Sequence, residues 1–516
     1  MNRRILLATT ALAAGAFFGA PAHATGTPLS CSDSKTSDQS AVATAITTAS
    51  SASGIIQITG ICAGDYKITA SPLTFINSGG TNSVSATDGF DGMVEILGAH
   101  VTFNGLTLKG TTLNASNGSN ALSSSTFTEE GNLILHDGAV ALIENSQIGP
   151  GEQDGLVAIR LSVANVLNTT ISGNGTRTGS SAIFTSGIWV TDGSTLRLGN
   201  PDDSEPATVQ GNGQYVANTS CSGFNILLTQ SASANIFGST IGGTTSGTGA
   251  NCGEINLQAA SSARMQDITL GHFGGLGRQA AIYAIGGSSV WIDENLGAAS
   301  PTGSLLTEVA DSVPNSIGLI FAGGASSVVL QDTTATGPSS LGPMVEASAS
   351  STIVLAGGNN VTNTVSGGIA IQVDHSSSML QLLGRQFGFA NEPDNVSGGG
   401  SVQEQSSMDL GQGLFGGLTS MNWVTGGSGI AVLQNSSFRL SGGVAITGAV
   451  TLQQGSNGFL NLANGGSAAQ QTVSGGISCP FTAVPGSHVS APTKVTPNPT
   501  MATSFGSAIS PQCLQF

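Results

Sequence analysis

One degenerate unit recurs through most of this chain and leaves few folds open to it. A short apolar run meets a small polar turn, usually Ser-Ser or Gly-Ser. A second apolar run follows, then a Gly/Asn-rich stretch. The unit reads Gly187-Ile-Trp-Val-Thr-Asp-Gly-Ser-Thr-Leu-Arg-Leu198 and returns as Ile369-Ala-Ile-Gln-Val-Asp-His-Ser-Ser-Ser-Met-Leu-Gln-Leu382 and Ile430-Ala-Val-Leu-Gln-Asn-Ser-Ser-Phe-Arg-Leu440. Such a unit cannot bury its own apolar side, whereas a stack of them can. About a dozen units fit between Met93 and Leu462, which at the spacing of neighbouring strands makes a rod of roughly 60 Å.

The first 24 residues read as a leader. Arg3 and Arg4 precede an apolar stretch from Ile5 to Phe18, and Ala22-His23-Ala24 suits a cleavage site. Residues 1–24 are therefore expected to be a signal peptide, with the mature chain secreted or periplasmic. No later segment reads as a membrane span. The formal net charge is −16, with only 8% charged residues, and basic clusters that could neutralise phosphate are missing. Nucleic acid is thus not an expected partner.

The cysteines fall into three sequence-local pairs, Cys31/Cys62, Cys221/Cys252 and Cys479/Cys513. An even count behind a leader reads as disulfides. Local pairing suits a solenoid, in which distant coils never meet. Each bridge would close a loop of about 30 residues, worth roughly 3–4 kcal/mol in the chain-entropy account. No Cys-x-x-Cys or Cys/His cluster points to a metal.

Residues 25–65 read as an N-terminal cap. Val42, Ala45, Ile46 and Ala49 recur at helical spacing over 36–49, Thr36 with Gln39 has the pattern of a capping box, and Asp38 sits in the first turn. The strand Ile55–Ile58 follows. Residues 66–477 form the solenoid, with insertions at 110–130, 201–222, 243–252 and 301–314. Residues 478–516, rich in proline, read as a disulfide-tied C-terminal cap.

The stretch Leu156-Val-Ala-Ile-Arg-Leu-Ser-Val-Ala-Asn-Val-Leu-Asn-Thr-Thr-Ile-Ser-Gly-Asn-Gly175 resembles a coil of the pectin-lyase-like superfamily. The block from Cys31 through the helix to Gly60-Ile-Cys62 resembles the entry segment of secreted proteins of that fold. The resemblance covers roughly residues 31–465. It implies an all-β, right-handed parallel β-helix with a short capping helix, and an internal asparagine ladder through Asn104, Asn145 and Asn168. It matches architecture and no enzyme family. Gly271-His-Phe-Gly274 is similar to the Gly-His-Gly of polygalacturonases, but Phe273 replaces the second glycine, and the paired-Asp and Arg-Ile-Lys motifs are missing.

Aligning the units at their polar turn stacks Asp137, Arg160/Leu161, Asp192, Gln230, Asp374, Glu404, Gln434 and Gln454 in one column. Side chains of this kind can satisfy backbone groups at a sharp bend. They could instead line a groove, and then Asp137, Asp154, Arg160 and Asp192 are the candidate catalytic set. Asp137 and Asp192 would stand two coils apart, roughly 10 Å. Glu129, Glu130, Glu152 and Asp154 form one acidic patch, and Asp202, Asp203 and Glu205 another; both read as solvated loops rather than Ca²⁺ sites. His100, His136, His272, His375 and His488 each stand alone. Trp189, Trp291 and Trp423 could stack on sugars or fill the core.

No cofactor or metal is implied. The expected function is an exported structural or binding rod that presents loops to a glycan or cell-surface component, and the alternative is a polysaccharide-active lyase or glycoside hydrolase.

Overall fold

The computed structural model describes residues 26–79, 83–110, 131–175, 185–213, 223–243, 253–273, 280–295, 298, 303–309, 318–339, 342–382, 393–412, 421–440, 444–460, 472–475, 477–478, 488–490 and 514–515. The leader, and Cys221, Cys252, Cys479 and Cys513, lie outside these residues.

The chain winds as a parallel β-helix. Its strands fall into three sheets, visited in the same order in every coil, and every pairing is parallel. The first sheet begins with Thr27–Ser30 and Ile55–Thr59, the second with Ile61–Ala63, the third with Tyr66–Ile68. They hold 18, 15 and 15 strands among the described residues. Between Met93 and Leu462 the third sheet has thirteen strands, from Val94–Leu97 to Val450–Leu452, in line with the dozen units counted from the sequence.

Strand alternation builds the core. In Val140–Glu144, Ala141 and Ile143 point inward, and they stack on Ala164 and Val166 of the next coil. The interior is one continuous cluster of Val, Ile, Leu and Ala. Aromatics gather at the N-terminal end, where Phe75 and Phe103 stack at 5.5 Å and Phe90 meets both edge-on. Near the other end Trp423 is fully buried, donating from Nε1 to the Gly398 carbonyl at 2.8 Å, so it is a core residue.

The helix Lys35–Ser50 packs on the first coil, as expected of a cap. The Thr36/Gln39 capping box does not form. Gln39 reaches the Asp65 carbonyl instead, and Asp38 accepts from the backbone N–H groups of Ser32, Ser34 and Ala63. Burial would raise the Asp38 carboxyl, but these bonds and the Ser32 hydroxyl hold it below the usual value. Cys31 and Cys62 form a disulfide that ties the cap to the second sheet. Pro28, on the outermost strand, cannot donate to a further strand and so blunts that edge. At the other end, His488–Ser490 and Leu514–Gln515 add two parallel strands to the first sheet.

Candidate functional site

The corner between the third and first sheets is the most regular feature. In twelve successive coils two consecutive residues adopt left-handed backbone, from Asp137-Gly138 and Arg160-Leu161 to Gln454-Gly455. The second residue donates its N–H to the carbonyl of the first residue one coil on, as in Gly138 to Arg160 (3.0 Å), Leu161 to Asp192 (3.1 Å) and Ser376 to Glu404 (2.9 Å). The next position is mostly serine and points inward. Ser162 N–H donates to Ser194 Oγ at 3.0 Å, and Ser288, Ser326, Ser351, Ser377 and Ser406 continue the pattern. Backbone groups at the bend are thus satisfied by backbone and by this inward serine, and the column ahead of it faces solvent.

Asp137, Arg160 and Asp192 occupy that outward column on three consecutive coils. Arg160 Nη1 lies 3.5 Å from Asp137 Oδ1, and both side chains are about half exposed. Asp154 is elsewhere: it is buried at the start of the strand Asp154–Ala158 and accepts from the Ser186 N–H. Asp154 and Arg160 stand six residues apart along nearly extended chain, roughly 20 Å. The structure therefore groups three of the four candidates and separates the fourth. The aligned column also slips by one residue at Asp374, because His375 takes the left-handed corner and Asp374 lies between it and the strand Ile369–Val373.

The outer side of the third sheet carries a second column, set by register. It runs Ile134, Val157, Trp189, Leu227, Asn256, Tyr283, Phe321, Glu346, Gln372 and Ser401. The first residues are apolar and largely buried. Tyr283 and Phe321 are half-buried and stacked, 4.8 Å between centroids and 12° between planes.

Beside that stack the column becomes ionisable. Glu346, Gln372, Asp374, His375 and Glu404 come from three consecutive coils. Glu346 and Asp374 both point outward, on a diagonal of about 8 Å between Cα positions. Burial and the neighbouring Asp374 charge push Glu346 up to about 7. Burial would also raise Asp374, but hydrogen bonds from Ser348, His375 and Gln372 outweigh it and hold the carboxyl below its usual range. Two carboxyls of opposed protonation thus share one patch. His375 Nε2 lies 2.8 Å from Glu404 Oε2, and Nδ1 lies 2.9 Å from Asp374 Oδ1 and 3.2 Å from Ser348 Oγ. Ser348, His375 and Glu404 have the order of a nucleophile, base and acid. Yet the Asp374 contact, with the Glu404 and Glu346 charges, raises His375 and favours its charged form, which has no lone pair to accept a proton.

The third polar array is internal. Around the corner between second and third sheets, Asn132, Asn174, Asn212 and Asn225 each donate from Nδ2 to the Oδ1, or for the last the carboxylate, of the next member. The amide links are 2.9 Å, and the chain passes through Glu254 to His272 Nδ1 at 3.3 Å. All six residues are buried. The expected ladder through Asn104, Asn145 and Asn168 also forms, with links of 3.2 and 2.7 Å, but at the surface. His136, His272 and His375 do not stand alone: each contacts a carboxylate, that of Glu95, Glu254, and Asp374 with Glu404, respectively. His272 belongs to the internal ladder, which removes it from any groove.

Among the described residues, no group of three or more His, Cys, Asp or Glu side chains is gathered as for a metal ion, and no helix is long and apolar enough to cross a membrane. No known family matches the chain, and neither a curated protein nor a solved structure shows significant similarity to it.

Proposed function

We propose that this is an exported β-helical protein, with the architecture of the pectin-lyase-like superfamily, that binds a glycan along the outer side of its third sheet. The observation that carries the reading is the half-buried Tyr283/Phe321 stack running in one column into Glu346 and Gln372. Flat aromatic faces beside hydrogen-bonding groups suit a sugar ring, which has apolar C–H faces and a polar rim. The column runs along the rod, so an extended chain lying on it would pass from the aromatic stack to the polar groups of the following coils. The acidic patch favours a neutral or amine-bearing glycan over polyuronate.

The test is binding of purified mature protein to neutral, amine-bearing and acidic polysaccharides. Tyr283→Ala with Phe321→Ala should weaken binding about tenfold or more, the equivalent of one to two stacking contacts. Unchanged affinity in that double variant would remove the reading.

The opposed protonation of Glu346 and Asp374 favours a second reading, glycoside hydrolysis at the same patch. Glu346 would give its proton to the leaving oxygen while Asp374 takes one from the attacking water, so that water adds across the C–O bond. Reducing ends should then appear with a basic limb near pH 7, where Glu346 ionises, and vanish in Glu346→Gln. Pectin and polygalacturonate should not be cleaved.

A further inference from the structure

The segment 200–206 does something unusual for a solenoid. It leaves the coil of Thr195–Leu198 and reaches coils on both sides of it. The Glu205 carbonyl accepts from Asn168 N–H, one coil back. Asp203 Oδ1 sits over Gly238, one coil forward, where a Cβ would come within 2.8 Å of it. The same oxygen accepts from Asn295 Nδ2 at 3.0 Å, three coils forward, and the Pro201 carbonyl accepts from that Nδ2 too.

Asn295 brings a second carboxylate to the same place. Its backbone N–H donates to Asp267 Oδ1 at 3.1 Å, and Gly303 N–H donates to that oxygen at 2.9 Å. Asp267 is more than nine-tenths buried, and no N–H or hydroxyl donor reaches its Oδ2. Asn295 thus bridges the two residues, and the Asp203 and Asp267 carboxyls meet each other side chain to side chain. An acidic loop read as solvated is in fact folded against a buried carboxyl. Two carboxyls in contact need either a shared proton or a cation between their oxygens.

We infer that Asp203 and Asp267 hold a divalent cation of the Ca²⁺ type, which locks the strap 200–206 across the coils. Both side chains are hard oxygen ligands, and Ca²⁺ completes irregular oxygen shells with carbonyls and water. Two carboxylates, not three, supply the charge, and the site is far from the Glu346 patch in the chain. Asn295 presents its N–H groups to the acidic oxygens, so it positions the carboxylates and does not bind the ion.

Calorimetric titration of CaCl₂ into metal-free mature protein tests this, with thermal unfolding as a second readout and MgCl₂ as a control. One equivalent should bind with a Kd below about 1 mM, with a raised unfolding midpoint and a weaker response to Mg²⁺. Asp203→Asn, on the half-buried side of the strap, should lose the binding and the shift while folding normally, and Asp267→Asn should do the same. Absence of both heat and shift in the unmodified protein would overturn the inference, as would a response unchanged in Asp203→Asn.

Discussion

Two corners of the same coil solve one problem in different ways. Where the third sheet meets the first, the bend takes two residues, and the next coil supplies a backbone partner for its N–H. Where the second meets the third, the strands are joined by connections of very different length, and buried amide side chains carry hydrogen bonds between coils. The first corner tolerates Asp, Arg, Gln, Ala, Gly, His and Glu in one column, because the side chain does nothing for the bend. The second depends on what its side chains are. A solenoid can thus vary freely where the backbone closes on itself, and it must spend polar side chains where loops are inserted.

That contrast can be broken by substitution. The largest effect should come from Asn212→Ala, which removes a link to Asn174, one to Asn225 and one to the Ile171 carbonyl, all in the interior. We expect a loss of about 3 kcal/mol or more, read as a drop in the urea midpoint. A loss as small as that of a surface residue would mean that water replaces the amide.

Charge sharpens the same point. At the remaining corner, where the first sheet meets the second, Asp394 takes the place that Asn359 holds one coil earlier, accepting from Asn359 and Gln381 in the interior. Burial raises it to about 6, and those bonds only partly oppose that. The folded state therefore holds the proton more tightly than the unfolded state, and stability should fall as pH rises from about 4 to about 6. Asp394→Asn should flatten that slope in a plot of unfolding midpoint against pH. Asp38 acts in the opposite sense, since its carboxyl is held low and its stabilisation is lost only as pH drops through that lower value.

The corner of the third and first sheets should respond less. Ser194→Ala leaves the buried Ser162 N–H without its acceptor and should cost about 1–2 kcal/mol. Smallest of all, Arg160→Ala should stay within about 0.5 kcal/mol, the range of an exposed ion pair. Leu161→Gly should be neutral or stabilising by up to about 1 kcal/mol. Leu161 sits exposed at φ 63°, and glycine removes the left-handed strain while adding freedom to the unfolded chain. A calorimetric midpoint that fell by many degrees in either variant would contradict a corner closed by backbone.

The sequence made the coils legible because strand alternation and the polar turn repeat together, and Asp137, Arg160 and Asp192 take the column assigned to them. Asp374 slipped because a corner of two left-handed residues accepts Asp-His-Ser in either of two alignments. The internal ladder was hidden for another reason. Asn132, Asn174, Asn212 and Asn225 are separated by 42, 38 and 13 residues, so no period marks them. Neither was Glu346 visible as part of a patch, since the partners that set its protonation arrive from the following coils. Asp203 looked like solvent-facing acid because its partners, Asp267 and Asn295, lie 64 and 92 positions away.

The strap at 200–206 changes how such a rod would fail under load. In a plain solenoid each coil grips only its neighbours, so pulling from one end can peel coils off singly. Here the coils from Asn168 to Asn295 are stitched by one short segment. Tension reaching them must rupture the stitch before any one of them can unwind. Stretched from its ends, the molecule should lengthen in small even steps up to this block and then yield there in a single long one.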